Sequence, residues 1–446
     1  MSEAAFTPRL ATELPGPKAQ QFIELSRKHE PNCMSEQVPL VWRRAKGVVI
    51  EDVDGNQFLD FCSGVLVANI GHCHPYYVQE TQAQCAELFN CYDFITPHRA
   101  RLAEKLVAIT PPYLDKAFIL TTGAETIESA VKLARRSQPG YEILSFYGAF
   151  HGRTYGAMSV GGMGGVKHGF GPLLEGCIKA PFCYCYRCAF DKTYPECDLW
   201  CIDHLDRVMA RESTGALCAV LTETYQGGAG SIIPPHGYME RLQEWCRKQG
   251  ALLIMDEVQA SFGRTGKMFG FEHYDVEPDI VCLGKGLGSG VACSAVLGRS
   301  EIMDVLEPGE MSSTNGGNAL SCRAALAAIK IIEDEDLPGN SARVGAVMLD
   351  ELSEMKERFE NIGDVRGQGL VIGVEVVEDK KSKAPAEDKT KNIIYEAYKR
   401  GLAMIAPIGL HHNVIRIAPP LVITEGQAKA GLGILREAIE VVVSGQ

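Results

Sequence analysis

Lys285 is the residue best placed for chemistry. It stands between glycines in Leu283-Gly284-Lys285-Gly286-Leu287-Gly288, directly after the apolar run Ile280-Val281-Cys282-Leu283. Desolvation at such a strand end lowers an amine's pKa and makes it a nucleophile toward a carbonyl. The same pattern also fits a surface lysine in a turn. Twenty-nine residues earlier, Asp256 follows the five apolar residues Ala251-Leu252-Leu253-Ile254-Met255, with Glu257 next. A carboxylate there can bind metal, act as a base, pair with a ring N–H⁺ or make a structural ion pair.

Three further segments carry usable groups. Thr121-Thr122-Gly123-Ala124-Glu125-Thr126 precedes an amphipathic stretch, and a helix start offers backbone N–H groups and a positive dipole end to a phosphate. Thr122 with Glu125 is also a capping box, the commoner reading of such a segment taken alone, and it needs no ligand. Phe150-His151-Gly152-Arg153 offers an aromatic face for a flat cofactor and a guanidinium for a carboxylate. Alone, such a phenylalanine is more often a core residue than a cofactor contact. Arg416, inside Val414-Ile415-Arg416-Ile417, is a charge in an apolar strand and needs an anion, either structural or a substrate. Two glycine-rich runs fail as nucleotide motifs. The one around Lys285 is no early βαβ fingerprint. Ser261 and Met268 break the phosphate-loop pattern of Phe262-Gly263-Arg264-Thr265-Gly266-Lys267.

The elements that must position these groups are short apolar runs: 117–120, 143–147, 217–221, 251–255 and 280–283. Each is apolar throughout rather than alternating, as strands buried on both faces are. Ile127, Ala130, Val131 and Ala134 recur at helical spacing, as do Met239, Leu242 and Cys246. Most runs end in polar or glycine residues, which gathers reactive groups in one crevice outside the strand ends of an α/β sheet. The chain of 446 residues is too long for one ordinary core. A second domain is expected from the C-terminal third, with a helix over 351–359, strands over 370–377 and 414–417, and a closing helix over 426–443. The N-terminal segment joins it through the strand and turn at 48–56. The charged stretch 378–391 reads as a solvated loop or helix start. The expected boundaries are 1–65 and 331–446 for the small domain and 66–330 for the large one.

A phosphate cradle, an aromatic stacker, a carboxylate for a pyridinium nitrogen, a lysine for an aldehyde and an arginine for substrate together suit one cofactor, pyridoxal 5′-phosphate. At this point the sequence resembles a class III aminotransferase of the pyridoxal-phosphate fold type I superfamily, from about Val48 to Pro420. The specific block is Met255-Asp256-Glu257-Val258-Gln259, then Gly263-Arg264-Thr265-Gly266, Pro278-Asp279-Ile280 and Gly284-Lys285-Gly286-Leu287-Gly288.

The resemblance implies an α/β fold: a large domain with a mostly parallel, mixed seven-stranded sheet, and a smaller α+β domain built from both termini. It implies that Lys285 is catalytic and holds the cofactor as a Schiff base. Asp256 would pair with the ring nitrogen, Phe150 and Val258 would flank the ring, and Gln259 would approach its hydroxyl. Gly123 and Ala124 would bind the phosphate, and Glu223 would orient Gln226. Thr314 would reach the cofactor of a neighbouring subunit, which implies a homodimer, or a tetramer built from dimers. Arg153 and Arg416 would take substrate carboxylates. The implied reaction moves an amino group from an amino acid or ω-amino acid to an α-keto acid such as pyruvate or 2-oxoglutarate. Racemisation, ammonia elimination or decarboxylation on the same scaffold is the alternative. A non-enzymatic module would be expected to lack Lys285 or Asp256, and both are present.

The sequence also departs from the family pattern. Gly228 stands where 4-aminobutyrate aminotransferases carry a glutamate, which puts a 4-aminobutyrate/2-oxoglutarate pairing in doubt. Thr224-Tyr225 replaces Pro-Val or Pro-Ile, and Asn315 replaces Phe. Cys183, Cys185, Cys188, Cys197 and Cys201 crowd into nineteen residues. That crowding suits zinc or an iron–sulfur cluster, or a loop of reduced thiols, and the expectation is thiols without metal. A net charge of −12 argues against nucleic acid and membrane as general partners. The N-terminus lacks a basic stretch leading into an apolar core, so a cytoplasmic enzyme is expected.

Overall fold

The computed structural model describes residues 7–444. Residues 1–6, part of the N-terminal stretch read above, lie outside the described residues. The chain divides into two units: Tyr76–Phe262 with Lys267–Asp334, and Met1–Pro75 with Gly263–Gly266 and Glu335–Gln446. No helix among the described residues is long and apolar enough to cross a membrane.

The larger unit holds a seven-stranded sheet. Its order is Lys116–Leu120, Ser294–Gly298, Ile280–Leu283, Leu252–Asp256, Leu217–Glu223, Glu142–Phe146 and Cys177–Ala180. Only Ser294–Gly298 runs against the rest, antiparallel to both neighbours. All five apolar runs read from the sequence are strands of this sheet. The helix Gly123–Ser137 drives Ile127, Ala130, Val131 and Ala134 into a core shared with Ile143, Cys218, Ile254, Ile280 and Val296. Burying each large aliphatic side chain there contributes about 1.5–3 kcal/mol. The helix Tyr238–Gln249 buries Met239, Leu242 and Cys246 and stops at Gly250, whose φ of +67° suits a left-handed cap.

Two strands of the sheet lack the long apolar signature. Cys177–Ala180 is an edge strand with alternating burial, and Lys179 interrupts it. Ser294–Gly298 is fully buried, but it opens on serine and closes on glycine.

The smaller unit contains a sheet of Trp42–Lys46, Val49–Asp52, Gln57–Asp60 and Leu402–Ala403, so both ends of the chain build it. A second sheet pairs Ile362–Gln368, Val371–Val376 and Val414–Ile417. The expected helix at 351–359 is the end of the longer Leu337–Arg358, and the closing helix runs Glu425–Ser444. The charged 378–391 stretch is loop up to the helix Glu387–Lys399.

The Gly263–Gly266 run has a structural task in this unit. Arg264 is completely buried, and its Nη1 donates to the carbonyls of Leu370 (2.9 Å) and Pro419 (2.6 Å). Its Nη2 donates to Asn69 Oδ1 (2.8 Å) and Ser63 Oγ (3.2 Å). Gly369 has a φ of +56°, and a Cβ there would stand 2.4 Å from the Thr265 carbonyl carbon. The backbone therefore passes where only glycine fits.

Arg264→Leu strands these buried acceptors, and such a loss costs about 3 kcal/mol or more. The urea midpoint should fall sharply. Arg264→Lys should recover only part of the loss, because an ammonium lacks the planar fork. A midpoint unchanged in the leucine variant would refute this role.

Candidate active site

The site begins at three adjacent strand ends. Glu223 is in register with Asp256, and Asp256 with Cys282. Neighbouring strands lie about 4.8 Å apart, so the Glu223 and Asp256 backbones are immediate neighbours. Lys285 follows three residues after Cys282. It is partly buried and holds a φ of +43°, in the left-handed region. A non-glycine residue held there stores about 1–2 kcal/mol, and such residues gather at functional sites.

Asp256 is nearly sequestered, its side chain 7% exposed. One oxygen lies 2.7 Å from His151 Nδ1, and the other accepts the Val258 N–H at 3.0 Å. The His151 ring is fully buried, and its Nε2 has no hydrogen-bond partner among the described residues. Sequence reading quoted His151 inside its motif and gave it no role. Its partner lies 105 residues away, so no local spacing announces the pair.

Glu223 Oε1 accepts the Phe150 N–H (2.9 Å), and Oε2 accepts the Gly227 N–H (2.8 Å). The carboxylate thus ties two loops together through their backbones. The Gln226 amide, which Glu223 was expected to orient, donates instead to the Tyr147 carbonyl at 2.9 Å. Burial, with Asp256 adding to it, pushes the Glu223 carboxyl up to about 7, against the opposing influence of His151 and the two N–H donors. Glu257 also rises to about 7 through burial. It is held by the Thr224 hydroxyl and by the N–H groups of Gly270 (2.7 Å) and Phe271 (2.8 Å). The Thr224-Tyr225 departure now has a physical account. Thr224 holds Glu257, and the Tyr225 hydroxyl donates to Gln259 Oε1 at 3.1 Å.

The helix start is closely fitted. Both halves of the Thr122–Glu125 capping box form. A Cβ on Gly123 would sit 2.8 Å from Val258 Cγ1, and one on Gly284 would sit 3.2 Å from the same atom. Val258 therefore rests against both the helix start and the turn before Lys285. Gly152 has a φ of +134°, and a Cβ there would meet the Ala124 Cβ at 2.8 Å. This brings the Phe150–Arg153 loop to the same place.

Gly228 faces Phe150 and Met163: its Cβ would lie 3.1 Å from Phe150 Cβ and 2.8 Å from Met163 Cε. Arg153 is exposed, with its guanidinium carbon 5.7 Å from the Phe150 ring centre. Thr314 is exposed, and its carbonyl accepts from the Asn90 amide at 3.0 Å. Arg416 belongs to the other unit, buried on Val414–Ile417 opposite Gly373.

The family model for aminotransferase class-III matches residues 32–439. An alanine/serine racemase of Pyrococcus horikoshii is 38% identical over 98% of this chain and 94% of its own. A 4-aminobutyrate aminotransferase of Mycobacterium leprae is 35% identical over 96% of this chain and 97% of its own. The solved structure of an amine transaminase from an uncultivated Pseudomonas species, in its pyridoxal-phosphate-bound form, superposes with a TM-score of 0.87. It is 33% identical, covering 94% of this chain and 98% of that one.

The raised Glu223 carboxyl has a pH consequence. Its folded pKa lies above the unfolded value, so between about pH 4.5 and 7 the folded state binds more protons and stability falls as pH rises. Glu223→Gln should flatten that fall, measured as denaturation midpoints from pH 5 to pH 7.5. An unchanged slope would mean Glu223 is already ionised throughout.

Proposed function

The chain belongs to the class-III aminotransferases, pyridoxal-phosphate enzymes that pass an amino group from an amine donor to a keto acid, and from that premise we propose the roles of its own residues. The carrying observation is Asp256, buried at a strand end and clasped by His151, with Lys285 held in a left-handed turn past the neighbouring strand. The residues present fit the cofactor. Gly123 leaves the helix start open at the backbone, and Val258 stands against both Gly123 and Gly284.

When bound, pyridoxal phosphate supplies an aldehyde and an electron-accepting pyridinium ring. Lys285 would hold the aldehyde carbon and would move the proton at the substrate Cα. Asp256, oriented by His151 and the Val258 N–H, would keep a proton on the ring nitrogen. The N–H groups of Gly123 and Ala124 bind the phosphate at the helix start. Phe150 and Val258 flank the ring. Because the Tyr225 hydroxyl takes Gln259 Oε1, the amide NH₂ of Gln259 remains for the ring oxygen. Glu223 fixes Phe150 through its backbone N–H. Arg153 and Arg416 take substrate carboxylates, so the donor is an amino acid or ω-amino acid and the acceptor an α-keto acid.

Thr314 reaches the cofactor phosphate of a second copy in a homodimer. Supporting this are its exposure and the surface beside it. Asn90, which holds the Thr314 carbonyl, lies in a segment whose Phe94 and Ile95 are 77% and 85% exposed. The sixteen cysteines, none paired in a disulfide, support a reducing, cytoplasmic setting.

Racemisation is the second reading, favoured by the racemase relative and by Gly228, which leaves no acid at that position. Lys285→Ala should abolish the visible cofactor absorbance and all turnover. Amino-group transfer from a donor panel should require pyruvate or 2-oxoglutarate. Inversion of an amino acid without any keto acid would replace transamination with racemisation. A colourless wild type would overturn the Lys285 assignment. Ile95→Asp should shift the chain to monomer in sedimentation and weaken cofactor retention. A dimer that persists with the cofactor intact would contradict this interface.

A further inference from the structure

The sheet of the large unit ends at Cys177–Ala180, which pairs only with Glu142–Phe146. Its outer edge is uncovered by any further strand, and a cavity of about 740 Å³ opens beside it. That volume lies within the roughly 300–1,000 Å³ of small-molecule sites. Lys179 lines the cavity from the strand, and the helix Trp200–Glu212 lines it as well. His204, Arg207, Val208 and Arg211 follow i, i+3, i+4, i+7 spacing, so the helix turns one face to the cavity.

Three cations at this cavity lack a counter-charge. In a chain of net charge −12, Lys179, Arg207 and Arg211 make no ion pair among the described residues. Lys179 Nζ is withdrawn from water and has no hydrogen-bond partner among the described residues. An ammonium so placed is unfavourable unless an anion joins it. Arg207 is held over the Trp200 ring, 4.8 Å from its centre. Arg211 Nη1 donates to the Arg207 carbonyl at 3.0 Å, which leaves most of its N–H donors for a ligand. The carboxylates of the cavity do not fill the gap. Glu142 is taken by the Ser213 hydroxyl and by Thr214, whose N–H and hydroxyl stand at 2.8 Å and 2.9 Å. Glu175 and Glu212 are exposed.

Three cations match a phosphate monoester, with a charge of about −1.5 to −2 near pH 7 and three acceptor oxygens, better than a single carboxylate. Arginine forks suit phosphate oxygens. Tyr141 and Tyr147 border the same cavity, both exposed, and offer aromatic faces to a flat ring. A Cβ on Gly176 would stand 2.7 Å from the Tyr141 ring, so backbone supports that ring from one side.

We propose that Lys179, Arg207 and Arg211 bind the phosphate of a small organic phosphate whose flat ring lies along the tyrosines. Two strands separate this edge from Leu252–Asp256, so the site is distinct from the one that holds the cofactor.

Equilibrium dialysis of radiolabelled AMP against the holoenzyme tests this, because the bound cofactor already fills its own phosphate cradle. One AMP should bind per chain. Arg207→Gln/Arg211→Gln should weaken binding by about tenfold or more, with cofactor absorbance and amino-group transfer in the absence of AMP unchanged. Lys179→Met should weaken it too. Should that variant fail to fold, the exposed arginine pair decides. Unlabelled ribose 5-phosphate should displace AMP, and adenosine, which lacks the phosphate, should not. The proposal is overturned if wild type retains no AMP at millimolar concentration, or if the arginine variant binds as well as wild type. Displacement by adenosine, or by succinate as readily as by ribose 5-phosphate, would equally refute a phosphate site.

Discussion

A carboxylate removed from water at the end of a buried strand is unstable unless it is compensated, and much of the site in the large unit follows from how Asp256 meets that demand. His151 and the Val258 N–H share its two oxygens. The demand is compounded by Glu223 on the next strand and Glu257 next in sequence, both buried. The two glutamates have separate partners. Glu223 clasps two loop N–H groups, and Glu257 takes a hydroxyl and two more. The loops around the strand ends are therefore pinned by the same carboxylates that would otherwise destabilise the fold.

Close backbone approach is the second organising constraint. Gly123, Gly152 and Gly284 bring the helix start, the Phe150 loop and the turn before Lys285 within van der Waals reach of Val258 or Ala124. A methyl group at Gly123 or Gly152 would come within 2.8 Å of a neighbouring carbon. The glycines thus set how tightly three separate loops converge. In the smaller unit Arg264 plays the corresponding part, gathering backbone carbonyls where strands end.

The legible and illegible parts of the sequence divide by range. Strands buried on both faces announce themselves as apolar runs, and five of the seven strands of the large sheet stand where those runs fall. The edge strand Cys177–Ala180 does not announce itself, because one side is half exposed and a lysine breaks the run. Arg264 sits in a recognisable block, yet its carbonyl partners lie 106 and 155 residues away. The Thr224-Tyr225 departure is visible in the sequence, but its task is not. The structure spends both hydroxyls on Glu257 and Gln259.

By itself the sequence determined the α/β class, the family and its cofactor. Those rest on residue types at short spacing: a lysine between glycines, an aspartate after five apolar residues, a capped helix start. The tertiary structure alone decided who holds whom. His151 on Asp256, and Glu223 on Phe150 and Gly227, are contacts that no local spacing encodes. Their physical reason is burial: groups sealed from water must find partners, and the fold, not the chain order, decides which partners are within reach.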